Sequence, residues 1–316
     1  MKRRVTMRRM FFKASGVILT TILVSCLAAT PAAAQGQKTF ATPEEAVKAI
    51  VAAAKANNKD ELRAIFGPEV DELLSSGDPV ADKQQREVVL LAFEQGWRVE
   101  DGKDGQKEII VGYEDWPFPI PLVKEGEGWR FDTEAGADEI LARRIGRNEL
   151  SVIQVCRTYV DAQQVYASVG HDGKPAGIYA QNVASTPGKQ DGLYWPAKPG
   201  EKLSPLGEMW AQATAQGYKR EEGRVGPMPF HGYYFRILKA QGAAVQGGPK
   251  SYIVNGDLTG GYALVAWPAE YENSGIMTFI VNQDGVVYQK DLGEKTNKIA
   301  NEMKAYNPNP TWTKVQ

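Results

Sequence analysis

From Thr42 onward the apolar positions keep a helical period. Ala46, Val47, Ile50, Val51 and Ala54 fall on one stripe, and Thr42-Pro43-Glu44-Glu45 ahead of it joins a capping box to a proline at the first helical position. A shorter helix covers Lys59 to Phe66 and stops at Gly67-Pro68. Another starts near Asp82 and carries Val88, Val89, Leu91, Ala92 and Phe93 up to Gly96. The pattern then changes to that of strands: Lys107–Tyr113, Ile120–Lys124 and Trp129–Asp132, the last two joined by the turn Glu125-Gly126-Glu127-Gly128. Pro117, Pro119 and Pro121 alternate, which confines this stretch to an edge strand or an extended connector.

The second half repeats the order. Asp138 to Arg147 is charged and helical, with an interruption expected at Gly146 and Asn148 placed to cap a restart. From there Leu150, Ile153, Cys156, Val160, Gln163/Gln164 and Ala167 recur at three-to-four spacing and form one face. Residues 170–200 are rich in Gly, Pro, Asn and Lys, a connection that is functional, mobile or hiding a short strand. Ser204-Pro205 opens a short helix through Ala215. Strand patterns then occupy Tyr233–Lys239, Gly261–Pro268 and Ile276–Val281, and Asp284-Gly285 before Val286-Val287-Tyr288 reads as a two-residue hairpin turn. Both parities of Ile276–Val281 are apolar except Thr278, so one face of that sheet is covered and the other is partly covered. One cover is the helix from Leu150; the other is the first domain, the last helix (Lys295–Tyr306) or a partner. The fold class is α+β, with a first domain at 38–137 and a bridge helix plus second domain at 138–316, each built on an antiparallel sheet.

Residues 1–34 read as an export leader: six Lys/Arg and no acid, an apolar run from Val17 to Ala29, and Ala32-Ala33-Ala34 before Gln35. Arg8-Arg9-Met10-Phe11-Phe12-Lys13 resembles a twin-arginine signature, the alternative being an ordinary basic start. Leu23-Val24-Ser25-Cys26 resembles a lipobox, which makes Cys26 the alternative site of maturation and a lipid anchor. Either route places the mature chain in the periplasm or outside the cell, with no transmembrane segment left. Beyond the leader the chain carries 31 basic and 38 acidic side chains, a net charge of −7, which offers nucleic acid no electrostatic footprint. Two cysteines, one of them in the leader, exclude a disulfide framework, and Cys156 falls at a core position where a thiol is inert.

Chemistry is sparse. No nucleophile elbow, zincin helix, phosphate loop or Cys/His metal spacing occurs, so no catalytic residue, metal or cofactor is assigned. His171 and His231 lie 60 positions apart in the sequence, each in a turn setting. Phe93, Trp97, Tyr113, Trp116 and Trp129 are the candidate lining of a pocket in the first domain, with plain core as the other reading. Arg143, Arg144 and Arg147 form a small basic cluster, suited to an anion or to pairing with Glu139 and Glu149 on a solvated helix face. His231, Tyr234 and Arg236 are the candidate interaction face of the second domain.

Three resemblances follow from particular stretches. The helices followed by strands, and above all residues 121–131, resemble the nuclear-transport-factor-like cone of small exported domains, which implies a sheet curled around a pocket. The Leu150–Tyr166 helix, Gly232-Tyr233-Tyr234-Phe235, Ala266-Trp267-Pro268, Ser274–Phe279 and the hairpin at Asp284 resemble the globular head of type IV pilin-like proteins. The apolar N-terminal helix through which pilins assemble is not continuous with this head. Residues 40–316 resemble the bacterial family of domain of unknown function 2950, most specifically in 129–136, 144–150 and 229–233, and this implies an envelope setting without a stated activity. The expected function is a non-enzymatic envelope protein acting through an envelope protein partner. The alternative is a cone domain that binds a small ligand or catalyses, with the second domain as an accessory. A sealed, side-chain-filled cone points to the first; an open one with a buried acid points to the second.

Overall fold

In the computed structural model the described residues are 37–315, apart from Glu69, Pro199 and 219–227; the leader, with Cys26 and the cleavage site after Ala34, lies outside them. The architecture is α+β. Four helices come first: α1 (Pro43–Lys55), α2 (Lys59–Phe66), α3 (Val70–Leu74) and α4 (Pro79–Gln95). Thr42 caps α1 as its box predicts, Oγ1 accepting from Glu45 N, while the Glu45 carboxylate accepts from the N–H of Ala41, one residue before the cap. Asp78 caps α4, Oδ1 accepting from the N–H groups of Val80 and Ala81 at 3.1 Å.

The strands that follow are β1 (Trp97–Asp101), β2 (Lys107–Val111), β3 (Trp116–Pro117), β4 (Leu122–Glu125) and β5 (Gly128–Phe131). They pair antiparallel in the order β1-β2-β4-β5, with β3 a short addition to the β2 edge. The alternating prolines thus supply both an edge strand, at Pro117, and an extended connector, at 118–121. Ile109, Val111, Leu122 and Phe131 point from the sheet into a core shared with Val47, Ile50, Ile65 and Phe66 of α1 and α2. Helix α4 is different: Phe93 is its one buried side chain, while Val88 (61%) and Leu91 (55%) are exposed. Their periodicity reads as core in the sequence, but Val88 lines an open cleft and Leu91 is exposed.

Helix α5 runs unbroken from Thr133 to Ala167, so the interruption expected at Gly146 does not occur. A glycine costs a helix about 1 kcal/mol against alanine, and tertiary bonds made on either side of Gly146 outweigh it. Asn148 does not cap a restart. Its amide donates to Ser274 O at 2.9 Å. The buried face also differs from the expected stripe. It consists of Val152, Cys156, Tyr159, Val160, Ala162, Gln163 and Tyr166, whereas Leu150 is 70% exposed and Ile153 half-buried. Glu149 faces the sheet and sets this register, its carboxylate accepting from the N–H groups of Ile276 and Met277 at 3.0 and 2.9 Å. Leu150 is one residue farther along and points about 100° away. Gln163, fully buried, exchanges two hydrogen bonds of 2.9 Å with the backbone of Ala180.

Residues 170–200 hide two short strands, β6 (Asn182–Ala184) and β7 (Gly192–Tyr194), paired parallel. Helix α6 (Gly207–Ala215) follows. The second sheet contains β8 (Tyr233–Leu238), β13 (Ala263–Pro268), β14 (Met277–Asn282), β15 (Tyr288–Asp291) and β16 (Thr313–Lys314), antiparallel in the order β16-β15-β14-β13-β8. Two-residue ladders, β9 (Ala240–Gln241) with β10 (Lys250–Ser251) and β11 (Ile253–Val254) with β12 (Asp257–Leu258), interrupt the long connection. The hairpin at Asp284 is wider than a two-residue turn: Ile280 is the last residue paired with β15, opposite Tyr288, and Val286 and Val287 lie in the loop.

All six residues of β13 are buried. Tyr233 belongs to the face toward α5, its hydroxyl reaching Met277 O at 3.0 Å beside Glu149. The pairs Trp267↔Tyr234 and Val265↔Arg236 belong to the opposite face. That face meets helix α7 (Thr296–Glu302): Trp267 Nε1 donates to Asn297 Oδ1 at 3.1 Å, and Arg236 donates to Ala300 O and Met303 O. The second cover of the sheet is therefore the last helix.

Candidate functional site

A cleft of about 1030 Å³ opens between α4, the β2–β3 end of the first sheet, α1–α3 and the middle of α5. It exists because α4 buries so little. Its floor is apolar, with Ile50, Val51 and Ala54 from α1, Val89, Leu90 and Phe93 from α4, and Val111, Trp116, Phe118 and Ile120 from the sheet side, while Asp82, Lys83, Arg86 and Glu87 of α4 and Glu114 add charges of both signs. Pockets that hold small ligands share this make-up, an apolar lining with a few placed polar groups. Phe93 and Trp116, two of the five candidate pocket aromatics, line it. Trp97 and Trp129 do not: Trp97 opens β1 opposite Val111, and Trp129 pairs with Lys124 and bridges to Phe40, with the Lys107 ammonium 5.9 Å from its ring centre. Tyr113 is 80% exposed and points away. Phe118, unmarked in the sequence among its prolines, is central instead, its ring 5.5 Å from Phe93, 6.5 Å from Trp116 and 6.4 Å from Phe131.

The arginine cluster forms the polar wall. Successive turns of α5 bring Arg143, Arg144 and Arg147 to the cleft. Arg143 donates to Glu139 Oε1 at 2.6 Å and to Pro117 O at 2.9 Å, and its guanidinium stands 5.1 Å over Trp116. Arg144 is buried and donates to Leu73 O, Ser75 O and Asn273 Oδ1. Burial pulls its pKa below the ordinary arginine value and the neighbouring Arg147 pushes the same way, while the charges of Asp82 and Glu270 oppose them. Arg147 lies at the rim, donates to Gln85 Oε1 at 2.6 Å and, among the described residues, meets no carboxylate within ion-pair distance.

Behind this wall sits a buried polar node. Asp78 Oδ2 accepts from Tyr218 Oη at 2.7 Å and from Gly232 N at 3.0 Å, and His231 N donates to Tyr218 Oη at 3.3 Å. Gly232 has φ +73°, and a Cβ there would stand 2.6 Å from the Asn148 amide nitrogen, so glycine is required twice over. His231 is half-buried and turned inward. Desolvation lowers its pKa from the ordinary value, the Asp78 charge partly opposing this and Arg147 adding to it. The proposed interaction face is thus engaged internally: His231 with Tyr218 and Phe230, Tyr234 with Trp267, Arg236 with the end of α7.

Among the described residues no cluster of His, Cys, Asp and Glu suits a metal ion, and no helix is long and apolar enough to cross a membrane. Residues 37–315 match the family described as Protein of unknown function (DUF2950). The chain belongs to that family. No curated protein and no solved structure matches this DUF2950 chain. The match includes the segments that meet at the node, 144–150 and 229–233.

Proposed function

We propose that this DUF2950 chain is an exported, non-enzymatic binding protein that takes a small, largely apolar molecule into the cleft beneath α4. The observation that carries the reading is the cleft itself: about 1030 Å³ walled by Ile50, Val51, Leu90, Phe93 and Trp116 and left open, where a purely structural first half would be filled by side chains. The leader supports export, and cleavage after Ala34 leaves the envelope or the medium as the site of action. Helices followed by a sheet with a cleft between them support the cone-like resemblance of the first half. A long helix across a five-stranded antiparallel sheet supports the pilin-like resemblance of the second, which acts here as an accessory that fixes α5 and its arginines. Action through a protein partner is the weaker reading, because His231, Tyr234 and Arg236 are occupied by contacts within the chain.

Titration with phenylnaphthylamine, a neutral dye that brightens in apolar sites, tests the reading. Saturable binding is expected, lost in Ala54→Trp and in Leu90→Trp, which fill the cleft from opposite walls while circular dichroism stays unchanged. Absence of binding, or binding indifferent to both substitutions, overturns it.

A further inference from the structure

The cleft is apolar over most of its lining, with Arg143, Arg144 and Arg147 of α5 along one side and the mixed charges Asp82, Lys83, Arg86 and Glu87 of α4 along its edge, and the α5 side selects a ligand. Of the three α5 arginines that line the cleft, Arg143 is paired with Glu139 and Arg144 is enclosed by two backbone carbonyls and an amide. Arg147 is left with a neutral amide, Gln85, in its hydrogen-bonding reach. The acids nearest on α4 are committed elsewhere: the Asp82 carboxylate accepts from Ser76 N at 3.1 and 3.2 Å, and Glu87 pairs with Lys83 at 3.7 Å.

Resting on the cleft as a binding site, we infer that its ligand is an amphipathic anion: an acyl-type chain lies over Phe93 and Trp116, and a carboxylate or phosphate head bonds the Arg147 guanidinium at the mouth. The planar fork of arginine matches either head with two parallel hydrogen bonds. An uncharged head leaves Arg147 as it is now, gaining nothing. A cationic head meets the charge of Arg147, unpaired among the described residues, at the mouth.

The experiment displaces phenylnaphthylamine from the full chain with dodecanoate, dodecyl phosphate and dodecanol, which share one chain and differ in the head. Dodecanoate or dodecyl phosphate is expected to displace the dye at about tenfold lower concentration than dodecanol, the gain typical of a hydrogen-bonded ion pair; the order of the two identifies a carboxylate or a phosphate head. Arg147→Gln is expected to close the gap without weakening dodecanol, and Arg147→Lys to keep most of it. Because the residue is exposed at the rim, both variants retain the fold. Equal displacement by all three compounds, or a gap that survives Arg147→Gln, overturns the anionic head while leaving the cleft as an apolar site. Failure of the dye itself to bind overturns the cleft reading instead.

Discussion

Asp78 Oδ2 accepts a hydrogen bond of 3.0 Å from the backbone N–H of Gly232, across 154 positions of sequence. The same side chain caps α4 through Oδ1 and accepts from the Tyr218 hydroxyl. One buried carboxylate therefore ties the lid-like helix of the cleft to the turn that opens the second sheet. Replacement by alanine removes a helix cap and strands buried donors at Gly232 and Tyr218. Asp78→Ala is expected to cost about 3 kcal/mol, read as a lower midpoint in urea unfolding. Asp78→Asn, which keeps an acceptor oxygen, should cost less.

His231 gives this node a pH dependence. Its folded pKa lies below the ordinary value of 6.5, with desolvation as the main cause. The unfolded chain therefore takes up a proton before the folded chain does, and stability present above about pH 6.5 falls as the pH drops toward the folded value. His231→Asn tolerates the left-handed backbone there, φ +51°, and is expected to flatten the stability profile between pH 7 and 5. An unchanged slope in that variant removes His231 from the account.

Much of this fold is legible along the chain and the cleft is not, for a physical reason. Thr42 and the Lys59–Phe66 helix are specified by neighbours within a turn, and local chemistry fixes them. The burial of Leu150 depends instead on where Glu149 finds its partners, the N–H groups of residues 276 and 277, and no local period records that. Val88 and Leu91 carry the periodicity of a core helix yet face solvent, because the space beneath α4 stays open. Arg143, Arg144 and Arg147 are visible as a cluster. Which of them keeps its charge uncompensated depends on Leu73, Ser75 and Gln85, residues that sequence distance hides.

Cys156 reports on the second core. It is fully buried, and desolvation pushes its thiol up to about 12. An aromatic disulfide reagent is expected to leave Cys156 unmodified in the native chain and to modify it fully in denaturant. Rapid native reaction would show that α5 does not seal this core.

Intact mass of the protein recovered from the producing cell decides its maturation. Cleavage after Ala34 predicts Gln35 as the first residue. A mass that begins at Cys26 and carries acyl chains would make the protein a lipid-anchored one.

The most direct test of the cleft is hydrogen exchange of the backbone amides, with and without dodecanoate. Binding beneath α4 predicts slower exchange along Val88–Phe93 and across residues 111–120, with little change in β13 and β14. Exchange that dodecanoate leaves unaltered in α4, or alters in the second sheet alone, contradicts the account.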